Sequence, residues 1–333
     1  MNMSKLNHPR LRIAHLPTPL EPLDNLSRQL GGPRIWVKRD DCTGLATGGN
    51  KTRKLEFLIA DALRRKAETL VTVGATQSNH VRQTAAAARF GLGCEVLLER
   101  EVVRDDDYAN NGNILLDRLF GAKIHQRPPS DDLNRAGEDL AAEIAANGDA
   151  TYFIPTGGSS PVGALGYVVC ALELAERFRE TGIEPAAVIV ATGSQGTQAG
   201  LLTGFSLAGV DVPVIGITVS RDGEEQADLV WDLTRKTAEL AEAELWIGRG
   251  QVLCDGAYFA PGYGQPNDGM VEALSLTART EGLILDPVYS GKAMAGLIAM
   301  IRSGRFGSQD PVVFLHTGGA TGLFGYRSLF SIA

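Results

Sequence analysis

The sequence predicts an α/β protein in which parallel β-sheets carry helices on both faces. Strand-like and helix-like segments alternate along most of the 333 residues, and repeated βα units of this kind form parallel sheets. Apolar residues make up 44% of the chain and charged residues 21%, which is typical of a protein with a packed core. The length suggests about two domains.

Hydrophobic periodicity justifies the elements in order along the chain. A short helical face of Leu23, Leu26 and Leu30 ends at Gly31-Gly32-Pro33. In the segment 51–66, apolar residues recur at helical spacing. Further helices are predicted at 79–90, 107–119, 131–146, 161–180, after the loop 191–200, and at 224–243, 268–280 and 290–303. Strands are predicted at 35–37, 69–73, 95–98, 123–125, 152–154, 187–191, 213–219 and 312–316.

Composition excludes several classes of function. With 32 basic and 39 acidic residues the net charge is −7, and aromatic residues make up only 6%, so no nucleic-acid partner is predicted. Four widely spaced cysteines without a CxxC motif are typical of a reduced, cytoplasmic enzyme. No apolar run reaches the roughly 20 residues of a membrane span, and we predict neither a membrane contact nor a signal peptide. The five histidines form no metal-binding pattern.

The chain holds 39 glycines, well above the usual level of roughly 7%. Many occur in pairs or near-pairs at predicted strand ends, as at 48–49, 193/196, 262/264 and 318–319. Glycine allows a ligand to approach the backbone closely. Because ligands of α/β proteins bind at the carboxyl ends of the strands, these loops are the places to look for chemistry.

The first such loop contains Lys51, which follows Gly48-Gly49-Asn50 at a predicted helix start. A helix N-terminus disfavours cations, so we predict that the pKa of Lys51 is lowered. A neutral amine is what Schiff-base chemistry needs. Spacing alone leaves a solvated surface lysine as the alternative.

Two further loops join a strand to a helix. In Thr76-Gln77-Ser78-Asn79-His80, Ser78 is a natural N-cap, and the polar side chains with the helix-start N–H groups could hold a carboxylate. In Thr192-Gly193-Ser194-Gln195-Gly196-Thr197, small residues expose backbone N–H groups to a phosphate. Taken singly, plain capping and a tight structural turn remain open.

The C-terminal third places tyrosines and hydroxyls beside glycines, at Tyr263, Tyr289-Ser290-Gly291 and Thr317-Gly318. Each tyrosine by itself could simply pack into the core. Together, however, the loops supply an amine, a carboxylate site, a phosphate site and several hydroxyls. That set matches what pyridoxal 5'-phosphate and an amino-acid substrate require.

Six motifs carry a resemblance over roughly residues 10 to 330: GGNKTRKLEF, TQSNHVRQTAA, ATGSQGTQAG, GYGQPN, LDPVYSGKAMAGL and FLHTGG. The chain resembles the D-cysteine desulfhydrase, L-cysteate sulfo-lyase and 1-aminocyclopropane-1-carboxylate (ACC) deaminase family. That family belongs to the tryptophan-synthase-β-like pyridoxal-phosphate enzymes of fold type II. The resemblance implies two doubly wound parallel-sheet domains, with residues 1–51 and 159–333 in the large one and 52–158 inserted as the small one. It also implies a homodimer.

The same resemblance implies the site. Lys51 would be the Schiff-base lysine, with Ser78 and Tyr289 as further catalytic groups. The cofactor-binding set would be Lys51, Asn50, Asn79 at the ring hydroxyl, the phosphate loop Gly193, Ser194, Gln195, Gly196 and Thr197, and also Ser290 and Thr317. The substrate-binding set would be Ser78, Asn79, His80, Tyr263 and Tyr289.

One departure bears on the reaction. In ACC deaminases the residue after the tyrosine of DPVY is a Glu that faces the pyridine nitrogen, whereas this chain has Ser290 there. ACC deaminases also tend to have Leu at the position of Thr317 and Gln at the position of His80. A hydroxyl supplies no charge to keep the nitrogen protonated, so the ring would be a weaker electron sink. That favours elimination of a good leaving group from Cβ over opening of a cyclopropane ring.

The predicted activity is therefore a carbon–sulfur lyase of amino-acid catabolism and sulfur metabolism. Thr76, Gln195, Ser290 and Thr317 offer donors for a sulfonate, which favours L-cysteate sulfo-lyase over D-cysteine desulfhydrase. ACC deaminase is a lesser alternative. A non-catalytic binder of a phosphate ligand would leave Lys51 unexplained.

Overall fold

The computed structural model describes residues 8–102, 104–129 and 132–330. Its strands are β1 (Leu20–Pro22), β2 (Ile35–Arg39), β3 (Thr69–Ala75), β4 (Gly93–Glu99), β5 (Lys123–Arg127), β6 (Thr151–Ile154), β7 (Ala187–Thr192), β8 (Val214–Thr218), β9 (Leu253–Asp255) and β10 (Val312–His316). They form a six-stranded sheet in the order β1-β2-β10-β7-β8-β9 and a four-stranded sheet in the order β5-β4-β3-β6.

The α-helices follow the alternation expected of βα units. They are α1 (Asp24–Leu30), α2 (Asn50–Arg64), α3 (Asn79–Ala87), α4 (Asp106–Asn110), α5 (Asn113–Leu119), α6 (Leu133–Ala146), α7 (Pro161–Thr181), α8 (Gly196–Ala208), α9 (Gly223–Leu240), α10 (Asp268–Glu281) and α11 (Ser290–Arg302). Short 3-10 turns complete the set, the last of them spanning Ala320–Phe330.

Strand β7 is covered by helices on both faces of the six-stranded sheet. Ile189 packs in a core with Met270 and Met294 of α10 and α11. Val188 and Val190 belong to a second core that includes Tyr167 of α7. A strand buried on both faces reads as a continuous apolar run, as the segment AVIVAT does.

The four-stranded sheet is built in the same way. Leu70 of β3 packs with Leu55 and Ile59 of α2, whereas its neighbour Val71 packs with Ile144 of α6. Because successive side chains of a strand point to opposite faces, this sheet also has two covered faces. Two parallel α/β sheets confirm the predicted fold class.

Several details differ from the prediction. The three-residue edge strands β1 and β9 were not predicted, and β1 runs antiparallel to β2; strands of this length are too short to show a period. The predicted helix 107–119 is two helices, because Gly112 between them has a φ of 65°. Helix α6 begins at Leu133, and position 131, where it was predicted to start, lies outside the described residues. None of the helices in the described ranges combines the length and apolarity that a membrane crossing requires.

Candidate active site

The loops at the carboxyl ends of β3, β7 and β10 meet the first turn of α2 around one enclosed pocket. Most of the predicted cofactor residues line its wall: Asn50, Lys51, Asn79, Gly193, Ser194, Gln195, Thr197 and Thr317, together with His80 and Tyr289. An adjoining cavity of about 490 Å³ adds Ser78 and Tyr263 to this group, and its size is ordinary for a ligand site. Segments distant in sequence are thus brought together by the sheet topology.

Lys51 lies in the first turn of α2 and is partly exposed to this pocket. Gly48 and Gly49, which precede the helix, have φ of 78° and 128°, values that favour glycine. Burial lowers the pKa of Lys51 to about 8, and the nearby Asp286 carboxylate opposes this effect. The direction agrees with the prediction, and the largest cause is the loss of water around the amine. No hydrogen-bond partner of its Nζ lies among the described residues, so this amine is available for reaction.

The loop between β7 and α8 forms a cradle at a helix N-terminus. The N–H groups of the first helical turn have no acceptor inside the helix. At Gly196 there is no room for a side chain, because a Cβ there would lie 2.8 Å from both Lys54 Nζ and Ser159 Oγ. Together with the positive end of α8, this backbone suits an anion.

Lys54 was missed by the sequence reasoning, although it lies one helical turn after Lys51. Its buried amine donates to Gly157 O (3.0 Å) and Ser159 Oγ (3.2 Å), both neutral oxygens. Burial, and then the charge of Lys51, hold its pKa well below the ordinary value. In the described structure this buried amine has no carboxylate partner, and its position next to the β7–α8 loop suits it to a phosphate.

Asn79 is held in one orientation at the start of α3. Its Oδ1 accepts hydrogen bonds from Arg82 Nη1 and Asn113 Nδ2, both at 2.9 Å. Since arginine is only a donor, the atom that faces Arg82 must be the amide oxygen. The NH₂ group is therefore left as a donor beside Gly319, where an added Cβ would lie 2.7 Å away.

Ser78 and His80 flank Asn79. The Ser78 hydroxyl caps α3 by accepting from Val81 N at 3.2 Å, as the capping interpretation predicts, and its own proton remains free to donate. The Thr72 hydroxyl donates to Ile154 O (2.8 Å), so it accepts from His80 Nε2 at 2.7 Å.

Two consequences follow for His80. Burial, and then the charges of Lys51 and Lys54, hold its pKa well below the ordinary value, so its ring is neutral and its Nδ1 offers only a lone pair. The donors for a carboxylate at this position are therefore the first-turn N–H groups of α3 rather than the imidazole.

Tyr263 and Tyr289 form a hydroxyl pair at the cavity. Their oxygens are 2.6 Å apart, and their rings meet edge to face with centroids 5.9 Å apart. Burial raises the pKa of both phenols, so both carry protons at neutral pH. The pair can pass a proton from one oxygen to the other.

Ser290 is not on the wall of the pocket. It is buried, and its hydroxyl donates to Asp286 Oδ1 (2.6 Å) while accepting from Asp286 N (2.7 Å). Asp286 also accepts from the backbone N–H groups of Val288 and Tyr289, and burial raises its pKa. Sequence reasoning noticed the DPVY segment but not Asp286, whose partners are nearly all local backbone. Thr76, predicted as a sulfonate donor, is likewise buried away from the wall.

Comparison with known proteins agrees with this geometry. Residues 11–318 match the family described as pyridoxal-phosphate dependent enzyme. The chain belongs to this family. A solved structure described as an ACC deaminase homologue is 35% identical, with a TM-score of 0.88, and the match covers 99% of this chain and 98% of that one.

Two more distant structures share the fold. A threonine deaminase from T.th. is 18% identical with a TM-score of 0.65, covering 91% of this chain and 92% of that one. A fungal L-serine ammonia-lyase from Rhizomucor miehei is 19% identical with a TM-score of 0.67, covering 95% and 98%.

The pocket of this pyridoxal-phosphate-dependent enzyme fits its cofactor in three respects. The Lys51 amine, which makes no hydrogen bond in the described structure, would be available to the aldehyde. The cradle at Gly196 offers helix N–H groups and the Lys54 amine to the phosphate. Asn79 has an NH₂ group of fixed orientation, a donor that would suit the ring hydroxyl. The identity of the cofactor, predicted from the sequence, is confirmed by the family.

Proposed function

We propose that this enzyme is a carbon–sulfur lyase that carries out α,β-elimination on L-cysteate. The net reaction converts L-cysteate and water into pyruvate, ammonium and bisulfite. The observation that carries the proposal is the position of Lys51, an amine with a pKa of about 8 that lines both the enclosed pocket and the adjoining cavity. An amine there can reach both cofactor and substrate.

Pyridoxal phosphate, when bound, withdraws electrons from the substrate's Cα and makes its C–H bond acidic. Lys51 Nζ would take the Cα proton of the bound substrate. The Cβ–S bond then breaks, and its electron pair leaves with the sulfite. Cβ later regains a proton, and water hydrolyses the C–N bond to release ammonium.

The neighbouring groups have supporting roles. The first-turn N–H groups of α3 bind the substrate carboxylate. The Ser78 hydroxyl lines the same cavity as Lys51 and can donate a proton to the Lys51 amine or accept one from it. Asn79 orients the ring through its NH₂ group. The Tyr263–Tyr289 pair holds protons at the cavity, and it can donate a proton to Lys51 or accept one from it.

The choice of an elimination rests on Ser290. ACC deaminases have a glutamate at this position, whereas the Ser290 hydroxyl of this chain is engaged with Asp286. An elimination with a good leaving group demands less of the ring as an electron sink. Sulfite leaves as a stable anion without a proton, which suits it to this arrangement.

D-Cysteine desulfhydrase is the second candidate. Sulfide leaves more readily when it is protonated, and the Tyr263–Tyr289 pair could supply that proton. The products would be pyruvate, ammonium and hydrogen sulfide.

A side-by-side assay tests the proposal. The enzyme is supplied with L-cysteate, D-cysteine or ACC, and sulfite, sulfide and 2-oxobutanoate are measured. We expect sulfite from L-cysteate; sulfide from D-cysteine with no sulfite from L-cysteate would overturn the first choice. Borohydride should attach the cofactor to Lys51, and Lys51→Ala should abolish pyruvate formation, whereas Lys123→Ala, at an exposed lysine, should not.

A further inference from the structure

Gln195 has a strained backbone that a glycine would relieve. Its φ is 64° and its ψ −42°, and Gly196 N donates to Ser194 O at 2.7 Å. A three-residue turn closed in this way, with positive φ at its centre, is rare and strained. Such conformations cluster at active sites and ligand-binding loops, where the surrounding structure holds them in place.

The side chain of Gln195 faces the reactive part of the molecule. It lines both the enclosed pocket and the adjoining cavity. Its Nε2 donates to Gly193 O at 2.9 Å, which leaves its second N–H and its Oε1 for other partners. The strained turn therefore presents an amide to the substrate side of Lys51.

Arg221 donates to the same carbonyl oxygen as Gln195, that of Gly193. Its Nη1 donates to Gly193 O (3.1 Å) and to Gln226 Oε1 (3.0 Å), and the Thr218 hydroxyl donates to Arg221 O at 2.6 Å, which fixes the loop after β8. Arg221 Nε also lies 3.3 Å from Glu225 Oε1. That carboxylate is 58% exposed, so water screens the pair and leaves most of the positive charge available.

The charges of the cavity wall are unevenly distributed. Arg221, Lys51 and Ser78 line the same cavity, and the described part of its wall has one carboxylate, Glu101. Glu101 lies close enough to Tyr263 and Tyr289 to affect their pKa values, and burial raises its own pKa. The wall at Gly193 thus combines a guanidinium with an amide.

We infer that Arg221 and Gln195 form a subsite for an anionic group on the substrate's Cβ. A tetrahedral oxyanion such as a sulfonate could accept from the guanidinium and from the amide at once. The inference rests on the proposed function and names the residues that would select an anionic substrate. Arg221 and Gln195 would be specificity determinants, while Lys51 serves any substrate.

The test compares two substrates of the loaded enzyme that differ in the charge on Cβ. L-Cysteate carries an anionic group there, and β-chloro-L-alanine carries a neutral one. For Arg221→Met we expect kcat/KM for L-cysteate to fall roughly 10- to 150-fold, the range for loss of a charge-assisted hydrogen bond. The value for β-chloro-L-alanine should stay within about threefold. Arg235→Met, which removes an exposed arginine from α9, is the control and should change neither value.

Gln195→Gly supplies a second variant whose backbone is compatible with the turn, because glycine suits a positive φ. Because Gln195 also belongs to the predicted phosphate loop, both kcat/KM values are measured at saturating pyridoxal phosphate, and we expect the loss to be larger for L-cysteate than for β-chloro-L-alanine. If both variants lower the two kcat/KM values equally, or if Arg221→Met loses cofactor instead, the subsite is refuted. A wild-type enzyme that releases chloride and pyruvate from β-chloro-L-alanine but no sulfite from L-cysteate would instead refute the proposed function.

Discussion

Replacing Lys51 by methionine should stabilise the cofactor-free protein while it abolishes activity. The fold lowers the pKa of this amine from 10.5 to about 8, so at pH 7 it must bury a charge that water would have solvated. At about 1.4 kcal/mol for each factor of ten in proton affinity, the penalty is about 3 kcal/mol. Because Nζ has no hydrogen-bond partner in the described structure, Lys51→Met removes the penalty without leaving a partner unpaired.

The penalty has a defined pH dependence. Below pH 8 the amine is protonated in both the folded and the unfolded chain, so the whole penalty is present. Between pH 8 and 10.5 the unfolded chain binds the proton that the folded chain has released, and stability rises with pH. The advantage of Lys51→Met should therefore be largest at pH 7 and small by pH 10.

Lys292 provides the matched control. Burial lowers its pKa to about 8 as well, but its Nζ donates to Phe259 O and Gly262 O, both at 2.8 Å. Lys292→Met would leave two carbonyls without a hydrogen bond, at a cost of about 1–3 kcal/mol each. This variant should therefore be no more stable than the wild type. Urea unfolding of both cofactor-free variants and the wild type at pH 7 and pH 10 measures the effect. A Lys51→Met protein that is less stable than wild type at pH 7, or a difference that does not shrink with pH, would refute the reasoning.

Three further predictions follow from single contacts. Lys54→Met should weaken pyridoxal-phosphate binding roughly 10- to 150-fold, because a charge-assisted hydrogen bond to the phosphate is lost. An absorbance titration measures the affinity, and an unchanged value would contradict the prediction. Tyr289→Phe breaks the 2.6 Å hydroxyl pair with Tyr263. It should lower kcat about 10²-fold or more and leave cofactor affinity unchanged. A variant with the kcat of the wild type would exclude a proton-transfer role for Tyr289. Arg53→Met should cost about 3–5 kcal/mol of unfolding free energy, because it leaves the Asp40 carboxylate buried without its guanidinium partner. Arg302→Met breaks a half-exposed pair with Glu272 and should cost less than about 1 kcal/mol. Similar losses of the two variants in urea unfolding would argue against that difference.

Sequence reasoning reached the fold because local patterns encode it. The period of the apolar residues in α2 and the apolar run of β7 are set by neighbours in the chain. Ser78 could be predicted as a cap for the same reason, since a cap depends on three or four consecutive residues.

What the sequence did not reveal depends on contacts across the chain. Lys54 stands out only when Gly157 and Ser159 are seen around it. The tautomer of His80 is fixed by Thr72, whose own proton is committed to Ile154 O. Arg221 entered no prediction, because no motif relates it to Gly193, 28 residues away.

Helix α2 shows how one local sequence yields two kinds of buried cation. Lys51, Arg53 and Lys54 all lie in its first turns, where the helix favours anions. Arg53 is neutralised by Asp40 and Glu173, and this network ties the helix start to α7. Lys54 donates only to neutral oxygens, and Lys51 makes no hydrogen bond in the described structure. The fold thus pairs Arg53, which faces away from the pocket, with carboxylates, and within the described structure it gives Lys51 and Lys54 no ion pair. An anionic cofactor is the partner that would complete this charge distribution, so its binding should stabilise the first turns of α2.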